Sequence, residues 1–142
     1  SALLDRFHCF IEGWHLPRIH EGIIYKGWTL NVEYFSEILH SMRTQSIYGV
    51  IYDKIVGKDK DADTRDSKAV KKIAVGYMKL LFPHWTCPAN INIEDFDTYC
   101  LQPAIRRRGI IKEQCHYIDQ EFKTQMPEFW IKEQGCVKNE LF

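Results

Sequence analysis

The stretch TRDSKAVKKIAVGYMKLL, residues 64–81, has the most regular apolar spacing in the chain. Its apolar residues recur at steps of three and four, which places them on one face of a helix. They are Ala69, Val70, Ile73, Ala74, Tyr77, Met78 and Leu81. Phe82-Pro83 follows, and a residue that precedes proline disfavours the helical conformation. The stretch therefore predicts a long helix with one buried face.

Similar spacing on both sides of this helix predicts further helices. One covers residues 29–43 and a shorter one covers residues 45–56, each with its apolar residues in a single stripe. Asn92 is a suitable cap for another helix, which would extend to about Phe122 with a break near Pro103, because proline cannot donate a backbone hydrogen bond. These elements predict a helical bundle.

The segment Phe7–Ile11 has a different character. It is a short apolar run with two aromatic residues, typical of a strand that is buried on both faces of a parallel sheet. One strand cannot form a sheet alone, so its neighbours would have to come from outside this sequence. The fold class that we predict is mainly α: a helical bundle over residues 29–123, preceded by one short strand.

The composition narrows the function classes. The 142 residues suit about one domain, and 19 basic residues balance 19 acidic ones, so net charge favours no polyanionic partner. The five cysteines are widely spaced without a CxxC pair, so we expect reduced thiols and no metal site. No apolar run approaches the roughly 20 residues of a membrane span. These features predict a cytoplasmic protein without a membrane partner.

The long helix carries a basic face as well as an apolar one. Arg65, Lys68, Lys72 and Lys79 recur at steps of three and four, with Gly76 among them. Arg65 lies in the first helical turn, where its charge opposes the helix dipole. Two interpretations stay open. Either neighbouring aspartates at positions 61, 63 and 66 neutralise Arg65, or a phosphate binds there, as helix N-termini with an adjacent arginine often allow.

Arg108 interrupts an apolar stripe. It shares one helix face with Ala104, Ile111 and Cys115, where an apolar residue is expected. A buried guanidinium needs a partner. Arg108 would therefore pair with a carboxylate, or contact a ligand or a neighbouring subunit. Consecutive helical residues point about 100° apart, so Arg106 and Arg107 point in other directions than Arg108, and we expect them to be solvated.

Nothing in the chain predicts a free-standing enzyme. No Ser, Cys or His has a partner arrangement for nucleophilic catalysis, and no phosphate loop of the GxxxxGK[ST] kind is present.

A resemblance adds a more specific interpretation. ALLDRFH, residues 2–8, resembles the point in AAA+ ATPases of the Lon and MCM branches where a helix ends in an arginine before the last strand of the nucleotide-binding core. Together with TRDSKAVKKIAVGYMKLLFP and AIRRRGIIKEQ, it is similar to the Lon-like ATPases of BREX phage-defence systems, the BrxL family, often labelled ATP-dependent Lon proteases. The resemblance covers residues 1 to about 123.

This resemblance implies roles for individual residues. Arg6 is the candidate arginine finger, which would reach the nucleotide of a neighbouring subunit; the alternative is a structural arginine held by Asp5 or Glu12, the nearest carboxylates in the sequence. Arg65 is the candidate sensor-2 residue, and Lys68 on the same basic face is a second candidate for binding the cofactor. The cofactor implied for the longer parent protein is ATP with Mg. The phosphate loop, the acidic metal-binding strand and the Lon-type Ser and Lys are absent, so we expect no cofactor and no activity in this chain alone.

The resemblance also implies an organisation and a set of partners. Residues 1–20 would end the AAA+ core, residues 21–123 would form the helical lid, and residues 124–142 would lead towards a Lon-like domain. The partners would be the chain's own ATPase core, neighbouring subunits in a homo-oligomeric ring and double-stranded DNA. The predicted function is the lid of an ATPase that couples ATP hydrolysis to action on DNA in phage defence.

An alternative from another function class stays open. The chain could be a helical DNA-binding module that uses Lys68, Lys72 and Lys79, or a structural interaction module, with no ATPase role. A steep salt dependence of DNA binding would favour the former, because phosphate contacts release counterions.

Overall fold

The computed structural model describes residues 2–132 and is mainly helical, as predicted. Short 3₁₀ turns lie at Leu4–Arg6, Gly13–His15, Glu21–Ile23 and Pro88–Asn90. The helices are α1 Val32–Arg43, α2 Ile47–Ile55, α3 Thr64–Leu81, α4 Ile93–Phe96 and α5 Gln102–Ile118. The strands are β1 Val56–Lys58 and β2 Phe129–Ile131.

Helix α3 has the bounds that its apolar spacing predicts. The Asp63 carboxylate caps its first turn by accepting the backbone N–H of Arg65 at 2.7 Å. Capping of this kind satisfies an N–H group that has no partner within the helix. The apolar face is buried through Val70, Ala74 and Met78. Local capping and amphipathic spacing therefore suffice to define this element.

The C-terminal helical region begins as predicted, and its irregularity lies near Pro103, also as predicted. The Asn92 side chain accepts the backbone N–H groups of Glu94 and Asp95, which caps α4. A π-helical turn, Asp97–Leu101, joins α4 to α5. Pro103 follows this turn by two residues in a continuous helical run, where it cannot donate the backbone hydrogen bond that a regular helix would make. The proline therefore lies directly beyond the irregular turn.

One cluster of buried side chains holds α2, α3 and the α4–α5 region together. The largest fully buried apolar members are Tyr48, Ile51, Val70, Met78, Phe96, Cys100 and Leu101. Trp85 closes the end of α3 by stacking on Phe82, with ring centroids 3.9 Å apart. Apolar burial of this extent is the main stabilising contribution in a domain of this size.

Strands β1 and β2 form a two-stranded antiparallel sheet. Val56 lies opposite Ile131, and Gly57 lies opposite Trp130. A Cβ atom at Gly57 would collide with the Trp130 indole, so glycine is required by this close approach. Strand β2 belongs to the segment 124–142 predicted to lead towards a following domain. Residues 133–142 of that segment lie outside the described residues.

The strand predicted over residues 7–11 is absent, and this prediction is wrong for the described part of the chain. No residue of that segment takes part in a β-ladder, and Phe7, Phe10 and Ile11 are exposed. The physical reason is the one that makes a lone strand unstable: extended backbone needs an adjacent strand to pair its N–H and C=O groups. No neighbouring strand reaches this segment among residues 2–132.

The described residues divide into two compact units. One consists of the residues up to Phe10 together with those from Ser46 onward, and the other is Ile11–Gln45. The second unit contains α1, which Asn31 caps by accepting the backbone N–H groups of Glu33 and Tyr34. Most of its large apolar side chains are exposed. The domain boundaries predicted after residues 20 and 123 stay predictions.

Other sequence expectations concern metals and membranes. Four cysteines in the described part of the chain are free thiols. Within residues 2–132, His, Cys, Asp and Glu form no group of three or more with metal-binding geometry. The helices of that same part are all too short or too polar to cross a bilayer.

The core predicts a sharp contrast between two isoleucines of α2. Ile51 is 0% exposed and Ile47 is 40% exposed. Ile51→Ala should lower the free energy of unfolding by about 3 kcal/mol, because it leaves a cavity in the core. Ile47→Ala, the matched control, should cost less than about 1 kcal/mol. Urea unfolding of both variants measures the difference, and equal losses would contradict the assigned core.

Candidate functional site

A buried ion-pair network joins the start of the chain to two helices. We call it the Asp5 network; its members are Asp5, Arg65, Asp66, Arg108 and Lys112. Asp5 lies in the first 3₁₀ turn, Arg65 and Asp66 lie in the first turn of α3, and Arg108 and Lys112 lie one turn apart on α5. The network therefore connects three elements that are distant in the sequence.

Arg108 is the centre of this network. It is 1% exposed and makes four hydrogen bonds. Its Nε donates to Asp66 Oδ1 at 2.8 Å, and its Nη2 donates to Asp5 Oδ1 at 2.5 Å. Its Nη1 donates to the backbone carbonyls of Asp5 at 3.1 Å and Phe7 at 2.7 Å. Of the two alternatives for Arg108, the structure has the carboxylate pairing.

The second oxygen of each carboxylate is also used. Asp5 Oδ2 accepts Arg65 Nη1 at 2.5 Å, and Asp66 Oδ2 accepts Lys112 Nζ at 2.6 Å. Each aspartate therefore joins two cations. Such multiple hydrogen bonding is what a carboxylate needs when it leaves water.

The pKa of Asp5 is set by opposing influences. Burial by itself would raise it, but the hydrogen bonds from Arg65 and Arg108, together with their positive charges, lower the pKa below its ordinary value. The same contact acts in reverse on the exposed partner, since the hydrogen bond to Asp5 raises the pKa of Arg65. Asp5 is therefore ionised at neutral pH.

Arg6 follows directly on the anchored residue. Its side chain is exposed, and no carboxylate among residues 2–132 forms an ion pair with it. The two carboxylates nearest in sequence have other partners: Asp5 binds Arg65 and Arg108, and Glu12 binds His15 at 3.3 Å. The backbone N–H of Arg6 donates to the backbone carbonyl of Leu3 at 3.1 Å, so the 3₁₀ turn fixes the main chain of Arg6.

Arg65 and Lys68 are placed apart although they share one helix. The Arg65 side chain is 56% exposed, and its guanidinium pairs with Asp5, whereas Asp63 accepts its backbone N–H. Lys68 lines a different cavity, formed with β1 and β2. The structure therefore brings Arg65 and the Arg6 turn together but not Lys68. Their roles with a nucleotide stay predictions.

A second arginine also holds the N-terminal segment. Arg107 Nε donates to the Tyr77 hydroxyl at 2.6 Å, and its Nη1 donates to the Phe10 carbonyl at 3.3 Å. The expectation that Arg107 is solvated is wrong, because it is half-buried; Arg106 is exposed as expected. Arg107 and Arg108 together hold the segment from Asp5 to Phe10 against α5.

The larger cavity next to the network does not suit a polyanion. Its volume is about 790 Å³, and Asp59, Asp61 and Asp63 line it together with Asp5 and Asp66. These carboxylates would repel phosphate groups. The exposed guanidiniums of Arg65 and Arg6 have the charge and hydrogen-bonding geometry that a phosphate needs. No cluster of metal-ligating side chains accompanies them within residues 2–132.

The sequence reasoning missed the central acceptors, Asp5 and Asp66. A signal for Asp66 was present, because it lies three and four residues before the apolar Ala69 and Val70 and so belongs to the buried face of α3. Like Arg108, Asp66 is a charged residue on an apolar face and needs a partner when it is buried. Asp5 had no such signal, since the short 3₁₀ turn has no apolar periodicity.

The first comparison with known proteins is at the level of a family. Residues 1–128 match the family described as "Lon-like protease BrxL-like, ATPase domain". The chain belongs to this family. The match contains the whole Asp5 network and all the candidate site residues.

Two relatives of this BrxL-family chain are named "Lon-like protease BrxL". The protein from Escherichia coli O9:H4 (strain HS) is 31% identical over 114 residues, which is 80% of this chain and 16% of the relative. The protein from Bacillus cereus (strain H3081.97) is 32% identical over 84 residues, which is 59% of this chain and 12% of the relative. The chain thus corresponds to a small part of these relatives.

The first prediction from the network concerns stability. Arg108→Ala should lower the free energy of unfolding by about 3 kcal/mol, because it removes the shared partner of two buried carboxylates. Arg106→Ala on the exposed side of α5 is the matched control and should change it by less than about 0.5 kcal/mol. Urea unfolding monitored by circular dichroism measures both. A loss below about 1 kcal/mol for Arg108→Ala would contradict the network's structural role.

The second prediction concerns acid. Because the folded state lowers the pKa of Asp5 from 3.8, the unfolded chain binds more protons in the acid range, and stability rises with pH there. The contribution of Asp5 should be complete above about pH 5 and disappear as pH falls through its folded pKa. Asp5→Asn should remove this part of the acid dependence in urea unfolding measured between pH 2 and 7. An unchanged pH profile would contradict the assignment.

Proposed function

We propose that this BrxL-family chain is the lid portion of an ATP-dependent Lon-like ATPase. In the longer protein it would couple ATP hydrolysis to action on DNA in phage defence. The observation that carries the proposal is the exposed Arg6, which follows directly on a residue that the Asp5 network holds in place. A charged side chain on a fixed turn is suited to act on a ligand that another subunit provides.

Arg6 is the arginine finger in this proposal. Its exposure and the absence of an ion-pair partner among residues 2–132 leave the guanidinium available to another molecule. The 3₁₀ turn and the Asp5 carboxylate limit its positions, and pre-positioned charge is what stabilises a transition state. Arginine fingers raise phosphoryl-transfer rates by about 10³–10⁵-fold in related systems.

Arg65 is the sensor-2 residue in this proposal, acting within its own subunit. More than half of its side chain is exposed, and Asp5 uses a single guanidinium nitrogen, Nη1. Arg65 could therefore bind a phosphate oxygen while Asp5 orients it. ATP with Mg supplies the phosphoryl group when bound to the longer protein. Arg6 and Arg65 both lie at the Asp5 end of the network, where they could bind the negative charge of the phosphates.

The contact between Arg65 and Asp5 also supports a coupling role. The Asp5 carboxylate both anchors the turn that carries Arg6 and accepts a hydrogen bond from Arg65. A phosphate that draws Arg65 away would therefore change the hydrogen bonds of Asp5, and with them the support of the Arg6 turn. In the assembled ring, each nucleotide site would thereby affect the finger that the same subunit offers to its neighbour. The chain alone is expected to be inactive. The alternative DNA-binding module is less favoured, because Lys68 lies in a cavity and the net charge is zero.

Mixed rings of a full-length protein that carries this segment separate the two roles. Arg6→Ala subunits mixed with subunits defective in the phosphate loop should regain ATPase activity, because some interfaces pair an intact nucleotide site with an intact finger. Arg65→Ala subunits mixed in the same way should regain none, because every site then lacks either Arg65 or the phosphate loop. Steady-state phosphate release measures both mixtures.

The controls determine what a negative result means. Native mass spectrometry should show that the mixed rings assemble, and Arg106→Ala should leave activity unchanged. Absence of recovery for Arg6→Ala in assembled rings would overturn the finger assignment. Recovery for Arg65→Ala would overturn the assignment of Arg65 to its own subunit's site.

A further inference from the structure

A second cavity lies on the other side of α3 from the Asp5 network. Its volume is about 520 Å³, within the range of small-molecule sites. We call it the lysine cavity. It is formed by the end of α2, strand β1, the first two turns of α3, and the end of β2; the residues used below are Tyr52, Lys58, Ser67, Lys68, Lys71, Trp130 and Lys132.

Among the described residues, four lysines line this cavity with a single carboxylate, that of Asp53. The carboxylate accepts Lys71 Nζ at 2.5 Å, and the Asp53 carbonyl accepts Lys132 Nζ at 2.8 Å. Lys58 and Lys68 form no ion pair with the described residues. The lysine cavity therefore has an excess of positive charge, although the chain as a whole has a net charge of zero.

Two hydroxyl groups in the wall of the lysine cavity have no partner among the described residues. They belong to Tyr52 and Ser67, both more than nine-tenths buried. A buried polar group without a hydrogen bond costs about 1–3 kcal/mol. Burial, together with the charge of Asp53, raises the pKa of Tyr52, so its hydroxyl keeps a proton to donate. Both residues line the lysine cavity.

An aromatic ring lies beside this charge. Trp130 is 47% exposed, and its indole extends across Gly57, whose missing side chain leaves the necessary space. A tryptophan with one accessible face can stack on a heterocyclic ring. The lysine cavity thus combines lysines, hydroxyl donors and an aromatic surface.

We propose that the lysine cavity binds a small ligand that joins a ring to phosphate groups, as nucleoside diphosphates do. Lys58 and Lys68 would bind the phosphate oxygens, the buried hydroxyls would donate to the same group, and Trp130 would contact the ring. This site is separate from Arg6 and Arg65, and the inference does not rest on the function proposed above.

The shape favours a small ligand over a nucleic acid. The lysines come from three elements, β1, α3 and the end of β2, and line the same half-open cavity. Nucleic-acid backbones need an extended row of phosphate contacts. A concave site with a few polar groups and an aromatic wall is typical of a small molecule.

The test uses the 142-residue chain with inorganic pyrophosphate, ADP and adenosine. Isothermal titration should show binding of pyrophosphate and ADP and no binding of adenosine. Lys58→Ala and Lys68→Ala should each weaken pyrophosphate binding about tenfold, the effect of losing one charged hydrogen bond. Lys72→Ala, an exposed lysine of α3 outside the cavity, is the matched control and should change it less than about twofold.

Two further variants separate a binding role from a structural one. Ser67→Ala should weaken pyrophosphate binding without lowering the thermal midpoint of the free protein, because its hydroxyl has no partner there. Trp130→Phe should abolish the ADP-dependent change in tryptophan fluorescence. Lys58 and Lys68 are both exposed, so their substitution should leave the circular dichroism spectrum unchanged.

Three results would overturn the proposal. One is the absence of pyrophosphate and ADP binding by the folded chain. Another is binding that Lys72→Ala weakens as much as Lys68→Ala does, since that indicates a diffuse effect of charge. The third is binding of a double-stranded oligonucleotide that loses affinity in Lys58→Ala and Lys68→Ala while pyrophosphate fails to compete, since that assigns the lysines to a nucleic acid.

Discussion

The guanidinium of Arg108 is the interaction on which the arrangement of the larger unit rests. A fully buried cation is unfavourable unless its charge and all its donors are satisfied. Here Asp5 and Asp66 balance the charge, and together with two backbone carbonyls they accept four hydrogen bonds from the five N–H donors of Arg108. These acceptors come from α3 and from the N-terminal turn, so the requirement of one side chain fixes three elements relative to one another. An apolar residue at position 108 could fill the space but could not specify the same partners.

This constraint connects packing with the proposed function. Residues 7–11 have no strand partner among residues 2–132, so hydrogen bonds from Arg107 and Arg108 take the place of a β-ladder in holding them. The same bonds fix the residue next to Arg6. A buried ion pair often adds little to stability, but it can still favour one conformation over others. Here the ion pairs of Arg108 favour the conformation of the turn that carries the candidate finger, Arg6.

Helix α3 separates two kinds of chemistry on its opposite sides. Arg65 and Asp66 face the Asp5 network, whereas Ser67, Lys68 and Lys71 line the lysine cavity. In the sequence, Arg65 and Lys68 belong to one basic face, because steps of three and four are close on a helix surface. Different elements pack against the two parts of that face: the N-terminal turn lies next to Arg65, and strands β1 and β2 lie next to Lys68. Shared periodicity therefore does not imply a shared ligand.

The sequence by itself determined the helices and the family. The limits of α3 and the caps at Asn92 and Asp63 depend on residues within a few positions, and such local interactions can be read from spacing. The buried position of Arg108 also follows from the stripe in which it lies. Its partners do not, since Asp5 and Asp66 are 103 and 42 residues away. The tertiary structure alone decided those pairings, the loss of the strand at residues 7–11, and the pairing of β2 with β1, because each depends on which distant backbone or side chain is brought within hydrogen-bonding distance.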